Sequence, residues 1–524
     1  MKGKSRSKNS AINMATGACS QAVSIVLKFI VRTVFIYYLG KEYLGINGLF
    51  SDILSMLSLS ELGIDTAIQF KLYKPLATGD VETVQVWMKF YKIAYRIVGF
   101  VIIGIGLCLI PFLPNLIKDY DTLDSLGINA VLIFLLYLSN SACSYLFFAS
   151  KSAILKADQK LYIINISTTI ITVVSSALQI ISLVMFQSFI IYIAITIVAA
   201  IVQNLINAVI AHRKYPTVFV RTNKKLDKSE IRNFFKDLGA VFVSKVNTVV
   251  LKATDNLVLS TFIGLSIVGL YSNYLLFYTT LKSIISIFYN ASKASAGNFF
   301  AKESEERQYL FFKTMNFLCV LLYGIGAVSV AVVANELIHC WIGDSYIVAQ
   351  PLSILIGIEI LFAGIKQNLT QIRNVTGLFR QMWFRPLLGT IVNLVVSIIL
   401  VQFIGIYGVI IGTIVADITT NFMIDPSIIY KNVFKTTGVI SEYYIKNLRY
   451  IIELSLVCIF DIFICAHFIT GLGWISIIVH GMICAISVTL VLVFIHHSSQ
   501  ECHYLFDFIK SFLNRRVKKL NKDT

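Results

Sequence analysis

Residues 21–45, QAVSIVLKFIVRTVFIYYLGKEYLG, and residues 245–269, KVNTVVLKATDNLVLSTFIGLSIVG, carry one pattern at two places in a 524-residue chain. Gln21, Ser24, Lys28, Arg32, Gly40 and Gly45 stand against Lys245, Thr248, Lys252, Asn256, Gly264 and Gly269, each pair offset by 224 residues. The first four positions of each copy are three or four residues apart, so they share one face of a helix. The residues between them are mostly apolar. Each stretch therefore reads as a membrane helix with a polar stripe that runs into a glycine-bounded turn.

The composition around these stretches supports a membrane reading. Hydrophobic residues make up 57% of the chain and charged residues 14%, with a mean hydropathy of +0.77. A soluble domain is roughly a quarter charged, so a soluble enzyme of this length is excluded, as are disorder, collagen and a disulfide scaffold. The nine cysteines include no CxxC pair and read as small buried hydrophobes. A helix needs about 20 apolar residues to cross a bilayer. Fourteen such spans are predicted, at roughly 12–39, 45–68, 92–114, 128–149, 161–186, 189–211, 238–262, 267–289, 312–334, 350–372, 386–403, 406–424, 450–468 and 472–495. All seven prolines fall at span ends or in loops, which favours unbroken helices.

The fold class is all-α: a polytopic membrane protein of about 14 helices in two pseudo-symmetric six-helix bundles plus two C-terminal helices. The expected organisation is an N-terminal bundle over 1–211, a basic cytoplasmic linker over 212–237, a second bundle over 238–428, helices 13 and 14 over 429–497, and a basic amphipathic tail over 498–524. An even number of spans per bundle makes the repeat parallel, with its pseudo-two-fold axis along the membrane normal.

Charge sets the orientation. Lys and Arg number 45 against 28 Asp and Glu. With the N-terminus in the cytoplasm, 37 of the 45 basic residues fall on that side, and only Lys41 and Lys118 fall in outside loops. Both termini are therefore expected in the cytoplasm, and the net charge of +17 is a topology signal, with no nucleic-acid partner implied. No cleavable signal peptide is read at the basic start. The tail places Leu505, Phe508, Ile509, Phe512 and Leu513 at helical spacing beside Lys510, Arg515, Arg516, Lys518 and Lys519. It reads either as a helix on the anionic inner leaflet or as a solvated basic tail.

Six basic residues lie inside or at the edge of spans where function is expected: Lys28, Arg32, Lys245, Lys252, Lys366 and Arg373. An ionisable group within a bilayer costs a few kcal/mol or more, so it faces a watery cavity or a partner. If the bundles face each other, these cations line a path suited to an anion, and to phosphate or pyrophosphate above all. The bland alternatives are snorkelling for Arg32 and Lys245, and a structural pair of Lys28 with Asp255 or Glu61. Acidic counterparts are Glu61, Asp65, Asp255, Glu359 and Asp417. They either bind a coupling H+ or Na+ or neutralise nearby cations. Tyr271 and Tyr274 read either as interfacial belt or as sugar-stacking surfaces. Gly408 and Gly412 form a GxxxG pair that allows close helix packing. No P-loop, GxSxG or HExxH motif occurs, so neither catalysis nor a metal or other cofactor is expected, and energy must come from a gradient or the membrane potential.

Three stretches carry a resemblance. FIYYLGKEYLGINGLFSDILSMLSLSELGIDTAIQFKLYKPLATGD (35–80), ATDNLVLSTFIGLSIVGLYSNY (253–274) and GIYGVIIGTIVADI (405–418) resemble the polysaccharide-exporter branch of the multidrug/oligosaccharidyl-lipid/polysaccharide superfamily, the Wzx-type flippases. The resemblance implies transport of an undecaprenyl-pyrophosphate-linked oligosaccharide across the bacterial plasma membrane by alternating access. It implies a cationic cavity to which Lys28, Arg32, Lys252 and Lys245 correspond. Polysaccharide polymerase and glycosyltransferases are the protein partners it suggests, alongside membrane lipids. A drug or metabolite antiporter of the same superfamily and a membrane glycosyltransferase are the competing readings.

Overall fold

The computed structural model describes residues 2–58, 64–118, 120–121, 123, 127–146, 151–220, 222, 224, 226–232, 234, 253–378, 381–435, 438–468 and 473–506. Among these the chain is helical and contains no strand. The long helices are α1 (Lys2–Leu57), α2 (Ile64–Thr78), α3 (Val81–Leu109), α4 (Ala130–Leu146), α5 (Leu161–Phe186), α6 (Phe189–Lys214), α7 (253–262), α8 (Leu265–Lys302), α9 (Glu305–Ile342), α10 (Pro351–Thr376), α11 (Arg385–Ile404), α12 (Ile406–Asn432), α13 (Ile440–Phe468) and α14 (Trp474–His496). Nine stretches among the described residues are long and apolar enough to cross a bilayer. The chain forms two compact units, Met1–Ser272 and Asn273–Thr524.

Several helices match the expected spans, as Leu161–Phe186 and Phe189–Lys214 do, whereas Val81–Leu109 starts earlier and Leu265–Lys302 runs further than expected. Most of the 238–262 span lies outside the described residues. Some of the ends have local causes. Helix α1 would be about 84 Å long at 1.5 Å per residue over its 56 residues, far more than a bilayer core of about 30 Å. It breaks at Gly40, whose φ of 84° suits a residue without Cβ. Asp80 caps α3 by accepting from the Thr83 amide at 3.0 Å and the Thr83 hydroxyl at 2.7 Å. In α12 the α-helix gives way to a π-helical stretch, Ile418–Ile424, which the apolar periodicity did not signal.

Two helices place large apolar side chains on their exposed face and gather their polar residues on the buried one, as a helix facing lipid does. On α14 Trp474, Ile478, Met482, Ile486, Leu490 and Phe494, four residues apart, are exposed. Ser476, His480, Cys484, Val488, Leu492 and His496 are buried on the other face. Helix α5 does the same, exposing Ile170, Val174, Leu178 and Ile181 while burying Ser167, Ser176, Gln179 and Ser182. The buried Ser167 hydroxyl donates to Asn207 Oδ1 at 2.9 Å, and Gln203 Nε2 donates to Ser167. A polar seam thus joins α5 to α6.

Within the first unit the repeat partners meet. A Cβ on Gly45 would collide with the Leu265 carbonyl oxygen, and one on Gly269 with that of Lys41. Residue 41 is to 265 as 45 is to 269, so the two contacts are one contact exchanged, the signature of a two-fold relation. Arg32 donates to the Ser272 hydroxyl, and in the exchanged position Asn256 lies beside Gly48. Gly264 ends α7 with a φ of 129°, as Gly40 ends the first half of α1. In the second unit the GxxxG pair does what its spacing suggests. A Cβ on Gly408 would meet Leu400 and one on Gly412 would meet Ser397, so α12 packs backbone-close on α11.

Candidate functional site

The intramembrane charges divide by unit. In the second unit they are tied together around the π-helical stretch of α12. Lys366 on α10 pairs with Asp417 at 3.1 Å. Arg385, at the start of α11, pairs with Asp425 at 3.0 Å, both nearly fully buried. Asn421 joins the two pairs, donating to Asp417 and accepting from Arg385. Arg373 is part-buried within electrostatic reach of Arg385 and Asp425. The π geometry adds a residue to the turn and brings Asp417, Asn421 and Asp425 onto one cluster, a placement such stretches often have at functional positions. Lys366, Arg373 and Asp417 were legible as intramembrane charges. Arg385 and Asp425 were not, because a loop boundary was drawn at each.

Other second-unit charges are also paired. His480 Nδ1 lies 2.7 Å from Glu336, and His496 Nε2 lies 2.9 Å from Glu453. Arg449 joins Glu453 at 2.8 Å, and Lys446 joins buried Glu501 at 2.7 Å. Glu359 is buried in α10. Tyr271 and Tyr274 are fully buried, and the Tyr274 hydroxyl donates to Asn335 at 2.6 Å and accepts from the Val348 amide at 2.9 Å. They are packing residues, so the sugar-stacking alternative for them is closed.

The first unit differs. Arg32 is part-buried on α1, bonded to Ser272 and within electrostatic reach of the Tyr192 hydroxyl. Lys28, one turn earlier, is exposed. Asp65 is neutralised: Lys156 lies 2.9 Å away, Tyr91 donates at 2.8 Å and Gln69 at 2.9 Å. Asp255 is buried at the start of α7, and the neighbouring Asn256 amide donates to Asp52. Lys245, Lys252, Glu61 and the tail beyond residue 506 lie outside the described residues.

Tyr192 also lines a cavity of about 530 Å³ inside this unit. Helix α1 supplies Asn47, Ser51, Leu54, Ser55 and Ser58, α4 supplies Tyr137, Asn140 and Ser141, α5 supplies Gln179, and α6 supplies Tyr192, Ile193 and Thr196. The spacing 47, 51, 54, 55, 58 is one face of a helix. Tyr137 donates to Asn47 Oδ1, and Gln179 Nε2 donates to the Thr196 hydroxyl at 2.9 Å. Among the described lining residues none is charged. Attention to charge alone missed this site, yet the signal was present: Asn47, Ser51, Ser55 and Ser58 form a neutral polar stripe in an apolar span.

The fold of the chain is that of solved transporters of the multidrug/oligosaccharidyl-lipid/polysaccharide superfamily. The lipid II flippase MurJ in an inward closed conformation matches with a TM-score of 0.63 and 14% identity, over 92% of this chain and 98% of that one. An inward-facing multidrug resistance MATE family transporter matches with a TM-score of 0.60 and 14% identity, over 79% and 96%. An outward-facing MATE family transporter matches with a TM-score of 0.52 and 16% identity, over 81% and 97%. No family model matches the sequence, and no curated protein does. The likeness shows a shared fold, that of a polytopic, all-α membrane protein.

Proposed function

We propose that this chain is a flippase that moves an undecaprenyl-pyrophosphate-linked oligosaccharide, the repeat unit of a capsule, O-antigen or other surface polysaccharide, from the inner to the outer leaflet by alternating access. The observation that carries the reading is Arg32, held by the Ser272 hydroxyl within the membrane-spanning helices and in electrostatic reach of Tyr192, which lines a large polar cavity. A guanidinium is always charged and binds phosphate oxygens in a planar fork. Lys28 on the same helix adds a mobile positive charge. Lys245, Lys252, Lys366 and Arg373 complete the proposed cationic set, and Glu61, Asp65, Asp255, Glu359 and Asp417 balance it or bind a coupling H+ or Na+. The protein works in the bacterial plasma membrane with both termini cytoplasmic, and catalyses no covalent step.

The MATE likeness supports a second reading, export of organic cations. The cavity chemistry weighs against it, because its described lining offers no carboxylate. Proteoliposomes separate the two. Arg32→Gln should lower flipping of a pyrophosphate-linked glycan at least tenfold, and Arg32→Lys should retain part of it. Extrusion of tetraphenylphosphonium with no glycan flipping would establish the antiporter.

A further inference from the structure

We propose that the neutral cavity of the first unit is a glycan subsite that takes a short uncharged oligosaccharide segment and so sets which repeat unit is accepted. This deepens the flippase reading and rests on it. The volume of about 530 Å³ falls in the range of small-molecule sites, about 300–1,000 Å³. Its described walls carry amides and hydroxyls from four helices and no charge. Amides and hydroxyls both donate and accept, which matches a sugar hydroxyl in either role. An organic cation would find no carboxylate there, and an acidic sugar no cation.

The polar groups are also held in place. Tyr137 donates to Asn47, which leaves the Asn47 amide as a donor. Gln179 is buried and donates to Thr196, which leaves its amide oxygen as an acceptor. The Asn140 Oδ1 atom is buried with no hydrogen-bond partner, and such an orphan costs about 1–3 kcal/mol. Tyr137 and Tyr192 add ring surfaces for the apolar faces of a pyranose. Arg32 is within electrostatic reach of the Tyr192 hydroxyl, and Tyr192 lines the cavity, so a phosphate at Arg32 and sugars in the cavity would follow the order of groups in a lipid-linked glycan. A site built to bond hydroxyls also rejects ligands that lack them far more strongly than an apolar pocket rejects a missing methylene.

Saturation-transfer NMR on the full-length protein in detergent tests this, with maltotriose and chitotriose as neutral probes, trigalacturonate as the acidic one and tetraphenylphosphonium as the cation. At least one neutral trisaccharide should give a signal fivefold or more above the other two probes. Gln179→Leu should cut that signal at least fivefold, and so should Ser55→Trp, which fills the cavity from an exposed position and keeps the test sound if the first variant misfolds. Gly104→Ala, where an added methyl meets nothing within 4 Å, should leave it within twofold. No signal from either neutral sugar, a signal indifferent to both cavity variants, or a stronger signal from tetraphenylphosphonium would overturn the proposal. Loss of flipping in Arg32→Gln alongside a trisaccharide signal indifferent to Gln179→Leu would sink the subsite and spare the flippase.

Discussion

The two units are built from the same kind of helix but differ in where their buried polar residues gather. In the second, polar side chains meet one another: Lys366 pairs with Asp417 and Arg385 with Asp425, while His480 contacts Glu336 and His496 contacts Glu453. Its glycines bring helices close, Gly357 onto the Ala327 carbonyl and Gly364 onto the Tyr323 side chain. In the first, neutral side chains at helical spacing surround open space, and Arg32 is within electrostatic reach of Tyr192, which lines it. Paired charges satisfy one another and fix a packing arrangement. Uncharged donors and acceptors around a void are satisfied in part by what enters it. The comparison sets ion pairs packed between helices in one unit against an open polar hollow in the other.

That contrast can be attacked from either side. The largest effect is expected at Asp425→Asn, which strands the buried Arg385 guanidinium and should cost about 3–5 kcal/mol, read as thermal unfolding in detergent. The double variant Arg385→Met/Asp425→Leu should recover most of that loss, and failure to do so would give the pair a role beyond packing. Next come Gly45→Ala and Gly269→Ala. Each added methyl meets a carbonyl oxygen across the exchanged contact, and overpacking costs about 1–3 kcal/mol. The two should be similar to each other, while Gly104→Ala, which meets nothing within 4 Å, leaves the melting temperature unchanged. Arg32→Gln should cut glycan flipping at least tenfold, about 1.4 kcal/mol in transition-state terms, with little change in unfolding. The smallest effect belongs to Asp80→Ala, which removes a helix cap. The two Thr83 bonds hold the Asp80 carboxyl below the usual carboxylate range. Its contribution is present above that range and fades as pH falls through the lowered value, so the variant and the parent should converge in acid.

Most of the architecture was legible because lipid imposes one rule on every span, and hydropathy reports it directly. The predicted break between spans one and two falls where Gly40 turns the chain, and 161–186 is the observed α5. What was hidden has physical reasons. The π-helical stretch in α12 leaves no trace in apolar periodicity, because one added residue per turn shifts the phase only locally. Arg385 and Asp425 sit at helix ends, where hydropathy cannot tell a loop charge from a buried one. The cavity was hidden by the choice of signal: a charge inside a span stands out by its cost, whereas serine, asparagine and glutamine are common enough in membrane helices to pass as packing.

The most direct test of the account follows a neutral pyrophosphate-linked oligosaccharide in proteoliposomes holding the full chain, with lectin access reporting its arrival in the outer leaflet. The account predicts arrival well above protein-free vesicles, reduced to background by Arg32→Gln and slowed several-fold by Gln179→Leu. Arrival no faster than in protein-free vesicles, with the same preparation extruding an organic cation, would contradict it.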